Sequence, residues 1–540
     1  MLPYNILLIG AEYRGIAKRG GLGDVIADMP IQLRNNNIQI DVIIPYYEII
    51  KNETSFVKEF VVKFGKKERV VRLYTTYIDN FKVHLLKCDE FFGGKIYSEV
   101  YINSDKHRPF EDDAKRFSFF CRAVLEILIS YGEFANINIL HCHDWHTTTL
   151  IALLKYEKKF EVINKRVKTL FTIHNLDYQG IRPFSTNDKK EHLISFESWF
   201  PDTYESIKDN KNVMDKIKDL KNTKCFSSMR AGINLADFVN TVSPTYAKEI
   251  TQKDNIEKNF FGGRGLENDL KNREENETLV GILNGIDYTK FLTDEMKSLE
   301  NKSININNLK EKSKREFLTN FVEYTKKNID KNILSNSASL SSHLKEFELE
   351  TLLKKPLIIS IGRAAKQKLS IVLEYYNNSI LMNEILKRDI LFICIANGEL
   401  SKRLEIINNH KNGFYLAGFL SEEFTNKAYT SADFLFMPSD FEPCGISQII
   451  ALNSGTLPIV NRVGGLNDTV TDGKTGFVFT GNSRDETKDN LIKTIDRAVN
   501  LFYNDREKFL EMRKNAIKEN FSWEISIKKY IDIYSKLNKN

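Results

Sequence analysis

Two series of short apolar runs, each followed by a longer amphipathic stretch, limit what this chain can fold into more than any other feature. The first series is YNILLIG near the start, IDVIIPYY (40–47), NINILHCHD (136–144), KTLFTIHN (168–175) and ADFVNTVS (236–243). The second begins near residue 355 with PLIISIGR and continues through DILFICIANG (389–398), ADFLFMPSD (432–440), GTLPIVNRVGG (455–465) and GFVF (476–479). Runs this short and this rich in Ile, Val and Phe, set between helical patterns, read as buried strands of parallel sheets. The fold class is therefore α/β, with two Rossmann-like, doubly wound units in tandem. Such sheets bind ligands at the carboxyl ends of their strands, so the chemistry is expected in a central crevice that both sets of strand ends face.

A chain of 540 residues is too long for one growing core, which agrees with two units. The first unit is expected over 1–290 and the second over 355–512. Residues 291–354 contain no Gly or Pro and are rich in Lys, Asn, Ser and Glu, with helical patterning such as LKEKSKREFL. They read as a helical, solvated insertion or linker. Residues 513–540 end in an amphipathic helix with Ile527, Ile531 and Tyr534 on one side.

Charge excludes some classes of partner. A net charge of +6 from 78 basic and 72 acidic side chains is no nucleic-acid footprint and supports only a mild preference for anions. No apolar stretch approaches the roughly 20 residues of a membrane span. MLPYNILLIG lacks a basic segment and a cleavage site, so it reads as a first strand rather than a signal peptide, and a cytoplasmic location is expected. The six cysteines have no paired spacing and are expected to stay free.

Five stretches carry the chemistry. AKRGGLGDV (17–25) joins the first strand to a helix and fits no standard phosphate-binding glycine spelling. HCHDWHTTT (141–149) crowds three His, one Cys and one Asp at a strand end. Strand alternation turns His141 and His143 one way and Asp144 the other, a poor zinc arrangement, so Asp144 and His146 read as binders of a polyhydroxylated substrate. Trp145 either packs beneath them or stacks on a sugar. FTIHNLDYQG (171–180) repeats the pattern at His174 and Asn175.

In ISIGRAAKQK (359–368), Arg363 and Lys368 lie just past a strand, where two fixed cations suit a diphosphate without protein-held metal. In SDFEPCGISQ (439–448), Glu442 precedes a helix expected to start at Gly445, with Ser447 in its first turn. Its free N–H groups suit phosphate, and the carboxylate suits sugar hydroxyls.

With these pieces in order, the chain resembles the bacterial glycogen synthase and plant starch synthase family of retaining GT-B glucosyltransferases. The matching stretches are E-x5-KxGGLGDV (12–25), EDDAKRFSFFCRAVLE (111–126), HCHDWHT, TIHNLDYQG, ADFVNTVSPTYAKEI (236–250), GILNGID (281–287), R-x3-QK (363–368), FEPCGISQ (441–448), GTLPIVNRVGGLNDTV (455–470) and FSWEISIKKY (521–530). Matching is thinnest over 184–225 and 290–355.

The resemblance implies an acceptor domain followed by a nucleotide-sugar domain, with the C-terminal helix crossing back to the first. It implies glucose transfer from ADP-glucose, or UDP-glucose as in some members, to the non-reducing 4-hydroxyl of an α-1,4-glucan primer. No metal or separate cofactor is expected. By position the catalytic set is Lys18, Asp144, His174, Arg363, Lys368 and Glu442. The donor-binding set is Glu12, Gly20, Gly21, Asp24, Asn284, Gly445, Ile446 and Ser447. The leaving phosphate is expected to take the proton of the incoming hydroxyl on the same face, so retention needs no carboxylate nucleophile.

Arg19, Gly15, Leu369, Leu420 and Asp440 depart from the family pattern; the last stands where Arg is usual in S-R-F-E-P-C-G. Two alternatives are a catalytically idle glucan-binding or regulatory relative and a GT-B enzyme with another acceptor. An idle relative would be free to lose Lys18, Arg363, Lys368 or Glu442, and all four are present.

Overall fold

In the computed structural model the described residues are 4–93, 100–101, 111–291, 306–328, 348–418 and 421–539. Leu420 and much of the 291–354 segment lie outside them. The chain divides into two compact units. The first comprises 1–254, 262–285 and 523–540; the second comprises 255–261 and 286–522.

Among the described residues, the first unit carries a nine-stranded sheet. From one edge its strands are Leu279–Gly281, Phe238–Thr241, Lys168–Ile173, Ile139–His143, Asn5–Ile9, Gln39–Pro45, Phe81–Lys87, Lys67–Ile78 and Ser55–Phe64. The first seven pair in parallel and the last two add an antiparallel hairpin. Strand Asn5–Ile9 is almost wholly apolar because helices cover both faces of a parallel sheet. The hairpin strand SFVKEFVVKF alternates instead, and Phe56 and Val61 remain exposed at the sheet's edge.

The chain fills one side of Asn5–Ile9 as far as Phe81–Lys87, then crosses to Ile139–His143 on the other. That reversal makes a topological switch point between Asn5–Ile9 and Ile139–His143, where strand ends splay open.

Among its described residues the second unit repeats the design with six parallel strands: Gly413–Leu416, Leu391–Asn397, Leu357–Arg363, Phe434–Met437, Leu457–Asn461 and Phe477–Phe479. Its switch point falls between Leu357–Arg363 and Phe434–Met437. Apolar clusters lie on both faces of this sheet.

Helix Ile306–Asn328 is not the solvated insertion that its composition suggests. Phe317, Leu318 and Phe321 are buried in one of the second unit's clusters. Two of its lysines are used inside. Lys310 Nζ donates to the Ala432 carbonyl (2.7 Å) and to Thr456 Oγ1 (2.5 Å). Lys314 Nζ reaches Asp433 Oδ2 (3.0 Å), whose other oxygen takes Arg513 (2.6 Å). Burial raises the Asp433 pKa, but the two cations outweigh it and hold the carboxyl down at about 2.

The last helix, Trp523–Lys539, belongs to the first unit and packs against Gly21–Asn35. Its buried stripe is Trp523, Ile527, Tyr530, Ile533, Tyr534 and Leu537; Ile531 is only half-buried. Gly285 allows the approach, since a Cβ there would stand 2.4 Å from the Trp523 Cα. All six cysteines are free and buried. No described helix is long and apolar enough to cross a membrane.

Candidate active site

In the first unit the sequence-predicted residues gather at the switch point. Strand Asn5–Ile9 ends in a loop that feeds helix Gly21–Asn35, and Glu12 in that loop is buried. Its Oε2 accepts the backbone N–H of Arg19 (2.6 Å) and Gly20 (2.9 Å), while Oε1 accepts the Tyr101 hydroxyl (2.6 Å). Glu12 is therefore engaged in shaping the loop, although its place in the pattern suggests a donor ligand.

Lys18 projects from this loop and pairs with Asp24 (2.7 Å), which also lies 3.4 Å from Arg14; Arg14 reaches Asp28 Oδ2 as well (2.9 Å). Gly20 is the residue before the helix and Gly21 its first. A side chain at Gly23 would press on Lys18 Cγ at 3.0 Å, which ties that glycine to the lysine's position. Gly15, where Pro is usual, has φ 83°, a value a pyrrolidine ring cannot reach.

Across the switch point, Asp144 follows Ile139–His143 with φ 57°. Its Oδ1 accepts the backbone N–H of His174 (2.7 Å) and Asn175 (3.3 Å), so it clamps the next strand's terminal turn. Burial pushes the carboxyl up to about 7 against those two bonds, and Glu12 adds to the rise. Trp145 is buried and packs beneath, with Gly180 leaving no room for more. A Cβ at Gly180 would fall 2.4 Å from the indole, at φ 62°.

Burial holds His141, His146 and His174 down near 3 and His143 below its ordinary range, so all four rings are neutral. His143 Nδ1 and His174 Nε2 share a hydrogen at 2.9 Å. The Thr172 hydroxyl donates to Asn240 Oδ1 (2.6 Å), so His141 Nε2 donates to Thr172 (2.7 Å) and His141 Nδ1 accepts from Tyr534 (2.9 Å). Asn284 is buried, with its Oδ1 unpaired among the described residues.

In the second unit, Arg363 ends strand Leu357–Arg363; it is exposed, and its guanidinium has no partner among the described residues. Lys368 lies in the short helix that follows, and its Nζ meets Glu442 Oε2 at 3.0 Å; Ser439 also donates to that oxygen (3.3 Å). Gly445 has φ 74°, and the helix begins two residues later than expected, as Ser447–Asn453 with Ile446 just before it. Gln448 folds back to donate to the carbonyls of Cys444 and Gly445 (both 3.0 Å). Gly464 and Gly465 let a neighbouring helix lie on this loop. Cβ atoms there would stand 2.0 Å from the carbonyl oxygens of Glu442 and Cys444.

Several participants carry no local sequence signal of the partner they meet. Tyr101, Tyr534 and Arg484, which pairs with Asp440, all arrive from distant segments. Among the described residues, one group has metal-ligand atoms close together: Asp41, His84 and Glu133, of which Glu133 is already bound by Lys82 and Tyr131.

Residues 5–272 match the family model for the starch synthase catalytic domain, and residues 343–519 match that for glycosyl transferases group 1. The glycogen synthase of Thermodesulfovibrio yellowstonii is 32% identical, with 98% of this chain and 97% of that one aligned. This chain belongs to the glycogen and starch synthase family. It is thus a glycosyltransferase. Another member similar to it is the glycogen synthase of Clostridioides difficile, 31% identical over 98% of this chain and 99% of the other.

Among solved structures, the catalytic domain of starch synthase IV from Arabidopsis thaliana, bound to ADP and acarbose, aligns over 99% of this chain and 100% of its own. Its TM-score is 0.75 at 23% identity, a likeness of fold. A sucrose-phosphate synthase from Thermosynechococcus elongatus shares the fold more loosely, with a TM-score of 0.55 at 13% identity.

Proposed function

We propose that this chain transfers glucose from ADP-glucose, with retention, to the non-reducing 4-hydroxyl of an α-1,4-glucan. The observation that carries the reading is the strand-end group of the second unit: a Lys368–Glu442 pair, and an exposed Arg363 whose guanidinium has no partner among the described residues. Arg363 and Lys368 would neutralise the diphosphate, and Glu442, released from Lys368, would take hydroxyls of the sugar. Family membership supports a nucleotide-sugar donor, and the ADP in the starch synthase IV structure favours adenine over uracil.

The chemistry follows from the charges. As the glycosidic bond to phosphate breaks, negative charge grows on the leaving diphosphate, and fixed cations stabilise it without reorganising. The phosphate oxygen takes the proton of the attacking hydroxyl on the same face. No carboxylate nucleophile is then required, and Asp144 is free to hold the His174–Asn175 turn. Within the first unit, the neutral His174 and Asn284 Oδ1, unpaired among the described residues, suit sugar hydroxyls, and Lys18 is a cation held by Asp24.

The test is incorporation of labelled glucose into glycogen from ADP-glucose and UDP-glucose side by side, with the anomeric signal of the product read by NMR. Lys368→Ala and Glu442→Ala are each expected to lower transfer by about 10²–10³-fold, the cost of a lost charge-stabilising group. No transfer from either donor to any α-glucan would overturn the reading, and transfer from UDP-glucose alone would overturn its choice of donor.

A further inference from the structure

We infer that Arg484 is a positioning residue for the Lys368–Glu442 pair, acting through Asp440 and Ser370; the inference rests on the donor role proposed for that pair. Arg484 opens helix Arg484–Asn504, far along the chain from both loops. Its Nη1 pairs with Asp440 Oδ1, and its Nη2 reaches Ser370 Oγ (3.2 Å) and Asp440 Oδ2 (3.4 Å). On the other side Nε lies 3.0 Å from both oxygens of Glu374, and Nη2 lies 2.5 Å from Oε1. Lys488 steadies Glu374 in turn at 3.7 Å.

The two loops are thereby joined by a ladder. One rung is Lys368 to Glu442. The next is Ser370, two residues beyond Lys368, donating to Asp440, two residues before Glu442, at 2.8 Å. Between them the Asp440 N–H donates to the Gln367 carbonyl (2.8 Å), and Gln367 Nε2 donates to the Phe441 carbonyl (2.8 Å). Asn259 closes the outer face on Asp440 Oδ1 at 3.0 Å.

Asp440 is almost fully buried, and a buried carboxylate keeps its place only while its cation stays. It also stands where the family pattern has Arg. Arg484 brings a guanidinium to Asp440 from another element. Because Ser370 and Asp440 share backbone with the reacting rung, loosening the outer rung lets Lys368 and Glu442 drift apart.

Two readouts on the full-length chain test this. The first is the acetylation rate of Lys368, followed by mass spectrometry against Lys165 as an exposed reference. Arg484→Ala is expected to raise the Lys368 rate at least threefold, and Arg484→Lys to raise it less. An unchanged Lys368 rate overturns the inference, and this readout needs no donor. Should Arg484→Ala fail to fold, Asp440→Asn takes its place with the same expectation.

The second readout is ADP affinity by calorimetry. Arg484→Ala is expected to weaken binding about tenfold in the wild-type background but less than twofold in a Lys368→Ala background. Equal losses in both backgrounds would mean that Arg484 acts independently of the pair, and would overturn the inference. A wild-type chain that binds neither ADP nor UDP would instead refute the donor reading, leaving the Lys368 rate to decide this one.

Discussion

Replacing Asp144 by asparagine isolates the cost of a buried charge beneath the His174–Asn175 turn. The asparagine Oδ1 can still accept from the backbone N–H of His174 and Asn175, so the clamp survives while the ionisable proton is removed. In the fold Asp144 holds its proton up to about pH 7, against 3.8 for the free group. Between those values the unfolded chain binds fewer protons than the folded one, so wild-type stability falls as pH rises through the window. Three pKa units at about 1.4 kcal/mol each put the full cost near 4 kcal/mol as an upper bound, reached above about pH 7.

Asp144→Asn avoids that cost. Its advantage over wild type is expected to be near zero at pH 4 and to grow to about 2–4 kcal/mol at pH 8. Urea melts followed by tryptophan fluorescence will measure it, because Trp145, Trp199 and Trp523 all belong to the first unit and report its transition alone. A difference that does not change with pH, or a variant less stable than wild type at pH 8, would refute the reasoning.

Three other outcomes are expected. Glu12→Ala strands the N–H groups of Arg19 and Gly20 and the Tyr101 hydroxyl, at about 1–3 kcal/mol for each that stays dry. It should cost at least tenfold in transfer rate, with faster hydrogen exchange at 18–21, whereas Glu12→Gln keeps an oxygen for both N–H groups and stays within a few-fold. Gly465→Ala drives a Cβ to 2.0 Å from the Cys444 carbonyl and must displace the loop bearing Glu442; calorimetry should show ADP affinity reduced at least tenfold, with the first unit's fluorescence melt unchanged. Tyr534→Phe leaves His141 Nδ1 without its donor and should lower first-unit stability by about 1–3 kcal/mol in the same melts, with ADP affinity intact.

The strand-end loops are legible in the sequence because apolar runs mark the strands, and the polar residues just past them have nowhere to point but the switch point. Asp144 and His174 follow their strands directly, while Arg363 is the last residue of its strand and Glu442 lies in the loop after Phe434–Met437. The hairpin of 55–78 is harder to read, since half its side chains face water and it lacks the continuous apolar signature of its neighbours. Helix Ile306–Asn328 misleads for the opposite reason: Lys310 and Lys314 look solvated, yet carbonyls and a carboxylate from other segments make an interior place for them. Glu12 is legible in place, but its bonds to backbone N–H groups leave no trace in composition. The partners of Arg484 and Tyr534 become visible only once the fold has brought distant segments together.

The route of the chain bears on how the protein is made. It leaves the first unit at 254, returns at 262, leaves again at 285 and returns at 523. The stripe of Trp523, Ile527, Tyr530 and Tyr534 therefore reaches the first unit only after nearly all of the second has been synthesised. During translation at roughly 5–20 residues per second, the first-made sheet must wait with the surface for its last helix uncovered and His141 without its tyrosine. That interval exposes the nascent chain to chaperone capture or aggregation. A ribosome stalled before residue 523 would yield a first unit that is sheet-complete and still unfinished.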